Sequence, residues 1–124
     1  MTDLTTLTAS ELASLIRERK VSSAEVVQAH LARIEAVNEQ VNAVTVVLAE
    51  SALEAAKKAD SGAADGPLHG VPFTIKENID CVGTATTNGV PALAESMPTR
   101  DAPVVERMKA AGAIPIGRTN LPEM

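Results

Sequence analysis

Apolar residues recur along the first sixty positions with a helical period. Leu12, Leu15 and Ile16 form one stripe behind Thr8, and Glu11 stands three residues after Thr8, the spacing of a capping box. Arg17, Arg19 and Lys20 gather at the far end, where a helix C-terminus favours cations. Ser22 and Glu25 repeat the device, and Val26 or Val27, His30 or Leu31, Ile34 and Val37 keep helical spacing up to Asn38. The β-branched run Val44-Thr45-Val46-Val47-Leu48 then reads as a short strand. Glu50 to Ala59 is alanine-rich and helical, and the stretch from Ser61 to Pro67 closes it with loop chemistry.

The pattern changes in the second half. Val71 to Lys76 reads as a buried strand, followed by a long irregular stretch from Glu77 to Arg100 that holds Gly83, Gly89, Pro91 and Pro98. Irregular stretches of that length inside a compact domain are usually functional or disordered. Asp101 with Pro103 is read as opening a helix that carries Val104, Val105, Met108 and Ala111 and stops at Gly112. Ala113 to Gly117 reads as a further strand, although Pro115 argues against a central position for it. Strand, connection, helix and strand in this order suggest one crossover of an α/β sheet. Asn120-Leu121-Pro122-Glu123 has the signals of a helix start, with Asn120 as its cap, yet Met124 follows before one turn is complete. The expectation is therefore an N-terminal piece of a longer protein.

Composition sharpens this picture. Of 124 residues, 21 are alanine, Phe73 is the one aromatic residue, and Trp and Tyr do not occur. The core therefore looks thin, and Val71, Phe73, Ile75, Ile114 and Ile116 are expected to need partners from outside the chain. Sixteen acidic against eleven basic residues give a net charge of −5, with no basic run beyond Lys57-Lys58. A phosphate-reading patch and a base-stacking platform are both excluded, so no direct nucleic-acid partner is expected. The single Cys81 rules out a disulfide framework and a multi-cysteine metal site. Together with an N-terminus unlike a signal peptide and no long apolar run, it points to a cytoplasmic protein without a membrane partner.

The residue with the most chemical promise is Lys76. It ends the apolar stretch Gly70-Val71-Pro72-Phe73-Thr74-Ile75 and precedes the polar turn Glu77-Asn78-Ile79-Asp80. A lysine desolvated there has its ammonium form disfavoured and can serve as a base or an amine nucleophile. The plainer alternative is a lysine snorkelling to the surface at a sheet edge. Glu77 and Asp80, three residues apart, read as ordering the turn rather than as a catalytic carboxylate pair. Cys81 reads as a small buried residue, His69 as a hydrogen-bonded turn residue, and His30 as packing.

The stretch from Gly66 to Asp80, with His69-Gly70-Val71-Pro72-Phe73-Thr74-Ile75-Lys76-Glu77-Asn78 at its centre, resembles the amidase signature family of serine hydrolases. Gly83-Thr84-Ala85-Thr86-Thr87-Asn88-Gly89, Asp101 to Val105, Ala110 to Ile114 and Gly117-Arg118-Thr119-Asn120-Leu121-Pro122-Glu123 continue the likeness in order and spacing. Val21-Ser22-Ser23-Ala24-Glu25 matches the family's opening helices. The resemblance implies an α/β fold, with N-terminal helices and part of a mixed β-sheet core. Residues 1–124 would be the N-terminal fragment of one amidase domain, helical over 1–60 and lysine-bearing α/β over 66–124.

It also implies a Ser–cisSer–Lys triad that hydrolyses a small-molecule carboxylic amide without metal or organic cofactor. A homodimer is compatible with the family. Lys76 carries over as the base. Thr87, Asn88 and Gly89 would shape or support the site, or else serve ordinary turn chemistry, and Asn120 would face the site or cap a helix. The glycine-flanked serine pair of the family has no counterpart in these 124 residues. The adjacent Ser22-Ser23 lacks flanking glycines and is explained by capping. The chain alone is therefore expected to be inactive. The alternatives are a glutamine-hydrolysing subunit of a tRNA-dependent amidotransferase, and a non-catalytic truncated remnant.

Overall fold

The computed structural model describes residues 3–122. Its elements run α1 (Ala9–Arg17), α2 (Ser23–Val41), β1 (Val44–Val47), α3 (Ala49–Ser61), β2 (Pro72–Lys76), α4 (Pro103–Ala110) and β3 (Ile114–Thr119). Short 3-10 turns lie at Leu4–Thr6 and Pro91–Leu93. The architecture is mixed α/β, as expected. Among the described residues no helix is long and apolar enough to cross a membrane.

Both capping boxes form. Thr8 Oγ1 accepts from the Glu11 amide at 3.1 Å while Glu11 Oε1 accepts from the Thr8 amide at 3.0 Å. Ser22 and Glu25 make the same reciprocal pair at 3.0 and 3.2 Å. Each satisfies two amides that a helix start leaves without partners. α2 runs past Asn38 to Val41, and Asn42 ends it in the left-handed region at φ 47°. Asn38 nevertheless shapes the exit. Its Oδ1 accepts from the amides of Ala43 and Val44, and its Nδ2 donates to the Val44 carbonyl, so the helix turns directly into β1. The N-terminus of α2 gains a second cap from α3, where Asp60 accepts from the amides of Ser23 and Ala24 at 2.7 and 3.0 Å. Ser23 is fully buried and donates its hydroxyl to the Gly70 carbonyl at 2.7 Å, so both adjacent serines are committed to structure.

The sheet has the order β1-β3-β2, with β3 antiparallel to β1 and parallel to β2. β3 is thus central in spite of Pro115. The missing N–H is tolerated because bonding on the β1 side reaches only as far as the Ile116 carbonyl, and the β2–β3 register shifts immediately beyond the Phe73–Pro115 pair. β1 belongs by sequence to the helical half but pairs with β3, so the two halves share one sheet.

The strand faces are also better covered than the composition suggested. Val71, Ile75, Ile114 and Ile116 are all buried within this chain. Val71 packs with Leu12, Ile16 and Val26, while Ile114 and Ile116 pack with Val27, Ala52 and Ala56. The alanines are the reason: with no side chain beyond Cβ, Ala52 and Ala56 let α3 lie close against β3. Ile75 packs with Cys81 and Val105, and Phe73 is half-buried at the edge of that cluster. The large apolar side chains left exposed are others, among them Val46 and Val47 on β1 and Val104 on α4.

Asp101 does not cap α4. That position belongs to Ala102, which has no capping side chain, and Pro103 takes the first turn. Asp101 instead accepts from the Val82 amide at 2.8 Å and pairs with Lys109 at 2.8 Å, tying the irregular segment to the far end of α4. The Lys109 ammonium first, and then the Val82 amide, hold its carboxyl below the ordinary carboxylate range. A depressed folded value means that this tie contributes stability above the unfolded value of 3.8 and loses it as pH falls through the folded one. Urea titrations of the wild type and Asp101→Asn should therefore differ most near neutral pH and converge in acid. A gap that stays constant down to about pH 2 would refute the assignment.

Candidate active site

β2 and β3 run parallel, so their carboxyl ends lie side by side, with Lys76 in register with Thr119. In open α/β sheets such strand ends are where ligands bind. Lys76 ends β2, and a tight turn follows in which the Ile79 amide donates to the Lys76 carbonyl at 3.0 Å. The Glu77 amide continues the pairing onto the Thr119 carbonyl at 3.0 Å. The main chain of Lys76 is thereby held on both sides of the residue.

The Lys76 side chain is exposed, which differs from the desolvation expected for it. The cause is the strand's position. β2 is at the edge of the described sheet, and its open side forms a groove of about 470 Å³. Phe73, Ile75, Ile79, Val104 and Met108 line this groove, with Lys76 at the same surface. An apolar groove beside one amine is suited to holding an apolar group next to a base or a nucleophile.

Three of the four candidate supporting residues converge on the neighbour of Lys76. Thr87 Oγ1 donates to Glu77 Oε1 at 2.8 Å, the Asn88 amide donates to the Glu77 carbonyl at 3.2 Å, and the Gly89 amide donates to Thr87 Oγ1 at 3.2 Å. Asn88 and Gly89 both have positive φ, 52° and 72°, which Asn and Gly accept most readily. Glu77 is buried, and it orders this loop as the turn reading anticipated. Asn120 behaves differently. Its Nδ2 donates to the Asn42 carbonyl at 3.1 Å and its amide to the Ala43 carbonyl at 2.8 Å, on the β1 side of β3 and away from β2. Positions 120–122 are not helical, and Glu123, which the helix-start reading also needs, lies outside the described residues.

The residue that sequence reasoning missed is Arg118. It is fully buried, and among the described residues its guanidinium has no ion-pair partner. Its Nη2 donates to the carbonyls of Ile79 at 2.7 Å and Lys76 at 3.3 Å, and its Nη1 to Thr84 Oγ1. It lies in the Gly117-to-Glu123 stretch that carries the resemblance, but only its place near the end of an apolar strand hints at a role of its own. His69 accepts at Nδ1 from the Asp65 amide and meets the Ala59 carbonyl at Nε2, which makes Nε2 the protonated nitrogen. His30 contacts the Val26 carbonyl within its own helix. Among the described residues no cluster of three or more His, Cys, Asp or Glu could hold a metal ion.

A family model described as Amidase matches residues 25–124. The chain belongs to the amidase family. It is 50% identical over 119 residues to indoleacetamide hydrolase of Bradyrhizobium diazoefficiens, covering 93% of this chain and 23% of that one. It is 44% identical over 127 residues to a glutamyl-tRNA(Gln) amidotransferase subunit of Salinispora tropica, covering 99% of this chain and 26% of that protein. The crystal structure of peptide amidase from Stenotrophomonas maltophilia superimposes with a TM-score of 0.86 at 33% identity, over 95% of this chain and 25% of that one. This amidase chain thus spans about a quarter of the length of the relatives it matches.

The link between Glu77 and Thr87 is open to a direct test. Thr87→Val removes the hydroxyl donor from a buried carboxylate, and it should lower unfolding stability by roughly 1–3 kcal/mol. Thr87→Ser should restore most of that loss in the same urea titration. Equal midpoints for Thr87→Val and wild type would show that the contact holds nothing.

Proposed function

We propose that the chain contributes the general base of an amide hydrolase, with Lys76 as that base. The observation that carries the reading is the family match over residues 25–124, which includes Lys76 at the carboxyl end of β2 beside an apolar groove. Lys76 would take the proton of a serine nucleophile through a second serine, and both serines would come from polypeptide outside these 124 residues. Backbone amides there would stabilise the oxyanion, and the amine or ammonia would leave before water releases the acid. Thr87, Asn88 and Gly89 support the site through Glu77. The substrate class is a small carboxylic amide carrying an apolar acyl group, in keeping with the groove and with the similarity to indoleacetamide hydrolase. Residues 1–124 are read as the opening part of a single amidase domain.

The 44% identity to an amidotransferase component favours one further reading. There the same lysine would serve a glutaminase that feeds ammonia to a partner enzyme. Co-purification with other subunits, together with glutamine hydrolysis, would select it.

The chain by itself should show no turnover of simple amides, indole acetamide included, because the nucleophile is missing. A full-length polypeptide carrying this segment should release ammonia, and Lys76→Ala in it should lower kcat by about 10³-fold or more. Clear turnover by the 124-residue chain, or full activity in the Lys76→Ala enzyme, would reject the proposal.

A further inference from the structure

We propose that Arg118 is a positioning residue for Lys76. The inference rests on the reading of Lys76 as the base, and it concerns how that base is held. The Lys76 side chain is exposed, so the described residues define its place through the main chain. A long flexible side chain delivers its amine accurately only if its Cα is fixed. Arg118 supplies that fixation from the neighbouring strand. It lies opposite Ile75 in the β2–β3 register, one residue before the partner of Lys76. One nitrogen of its guanidinium, Nη2, spans both ends of the turn, donating to the carbonyls of Lys76 and Ile79. The other, Nη1, holds Thr84 and so anchors the segment that leads to Thr87, Asn88 and Gly89.

Stability alone is a poor account of this arginine. A buried charge without a counter-ion is costly, and a well-packed apolar side chain of similar volume is often as stable or more so. Its Nε has no partner among the described residues, which adds to that cost. What an apolar residue could not supply is a planar fork of donors reaching two carbonyls and a hydroxyl at once. The three acceptors are Lys76 itself and two residues of the turn and loop that follow it.

The test is kinetic, in the full-length enzyme that carries this segment. Arg118→Met should lower kcat by about 10²-fold, the scale of a misplaced catalytic group, with KM within about threefold of wild type. Arg118→Lys, which keeps a donor and the charge, should recover at least about tenfold of that loss. Thr84→Val, which leaves the arginine in place but strips one acceptor from it, should lower the thermal midpoint and, in the folded enzyme, lower kcat by about threefold or more with KM unchanged. Should Arg118→Met fail to fold, the Thr84→Val kinetics decide. Wild-type kcat in Thr84→Val, or in a folded Arg118→Met enzyme, overturns the inference. Lys76→Ala separates the two levels. Its inactivity beside normal Arg118→Met and Thr84→Val kinetics rejects the role of Arg118 alone, whereas its full activity rejects the base assignment and this inference with it.

Discussion

A guanidinium can be buried without a carboxylate only where neutral oxygens converge on it, and that requirement organises the sheet end of this chain. Arg118 meets it with the carbonyl of Lys76 at the end of β2, the carbonyl of Ile79 in the turn that follows and one hydroxyl from the loop beyond. If the turn from Lys76 to Ile79 moved, the charge would be left in a low-dielectric site without acceptors. The turn is therefore as constrained as the strands. The constraint extends outward from there. Asp80 receives the Ala102 amide at the start of α4, Glu77 receives Thr87 and the Asn88 amide, and Cys81 fills the small space between Ile75 and Val105. A segment of more than twenty residues with one 3-10 turn is thus attached to the sheet at several points.

The opposite side of the sheet relies on small residues. Ala52 and Ala56 bring α3 against Ile114 and Ile116, and Ser23 replaces a bulkier contact with a hydrogen bond to Gly70. A Cβ on Gly70 would lie 2.8 Å from that of Ser23, and Gly70 has φ +78°, so the approach requires glycine on both counts. Close packing of this kind buries strand faces without aromatic residues. Along the free edge of β2 and the adjoining face of α4 the surface stays open. That surface is the groove beside Lys76.

Local signals carried much of this architecture. The capping boxes at Thr8 and Ser22, the β-branched run of β1 and the apolar run of β2 are each decided by near neighbours, and each forms. Lys76 at the end of β2 and the family resemblance around it were equally legible. What was not legible depends on distant partners. Asp101 has the residue type of a helix cap, but its contacts are Val82 and Lys109. Pro115 argued for an edge strand because the register shift beside it cannot be read from its neighbours. Lys76 was expected to be desolvated because its strand is apolar, yet burial depends on what covers the edge, and the described sheet leaves that edge open. Arg118 is the clearest case: its role lies in three acceptors 34 to 42 positions away.

Hydrogen exchange resolved by residue tests the central claim directly, since that claim makes the turn and loop after Lys76 a firm extension of the sheet. The amides of Glu77, Ile79 and Asn88, bonded to Thr119, Lys76 and Glu77, should exchange in the same slow class as Ile114, whose amide is bonded to Val71 at 2.8 Å. Exchange of those three amides at the rate of an open loop, with Ile114 still protected, would contradict it.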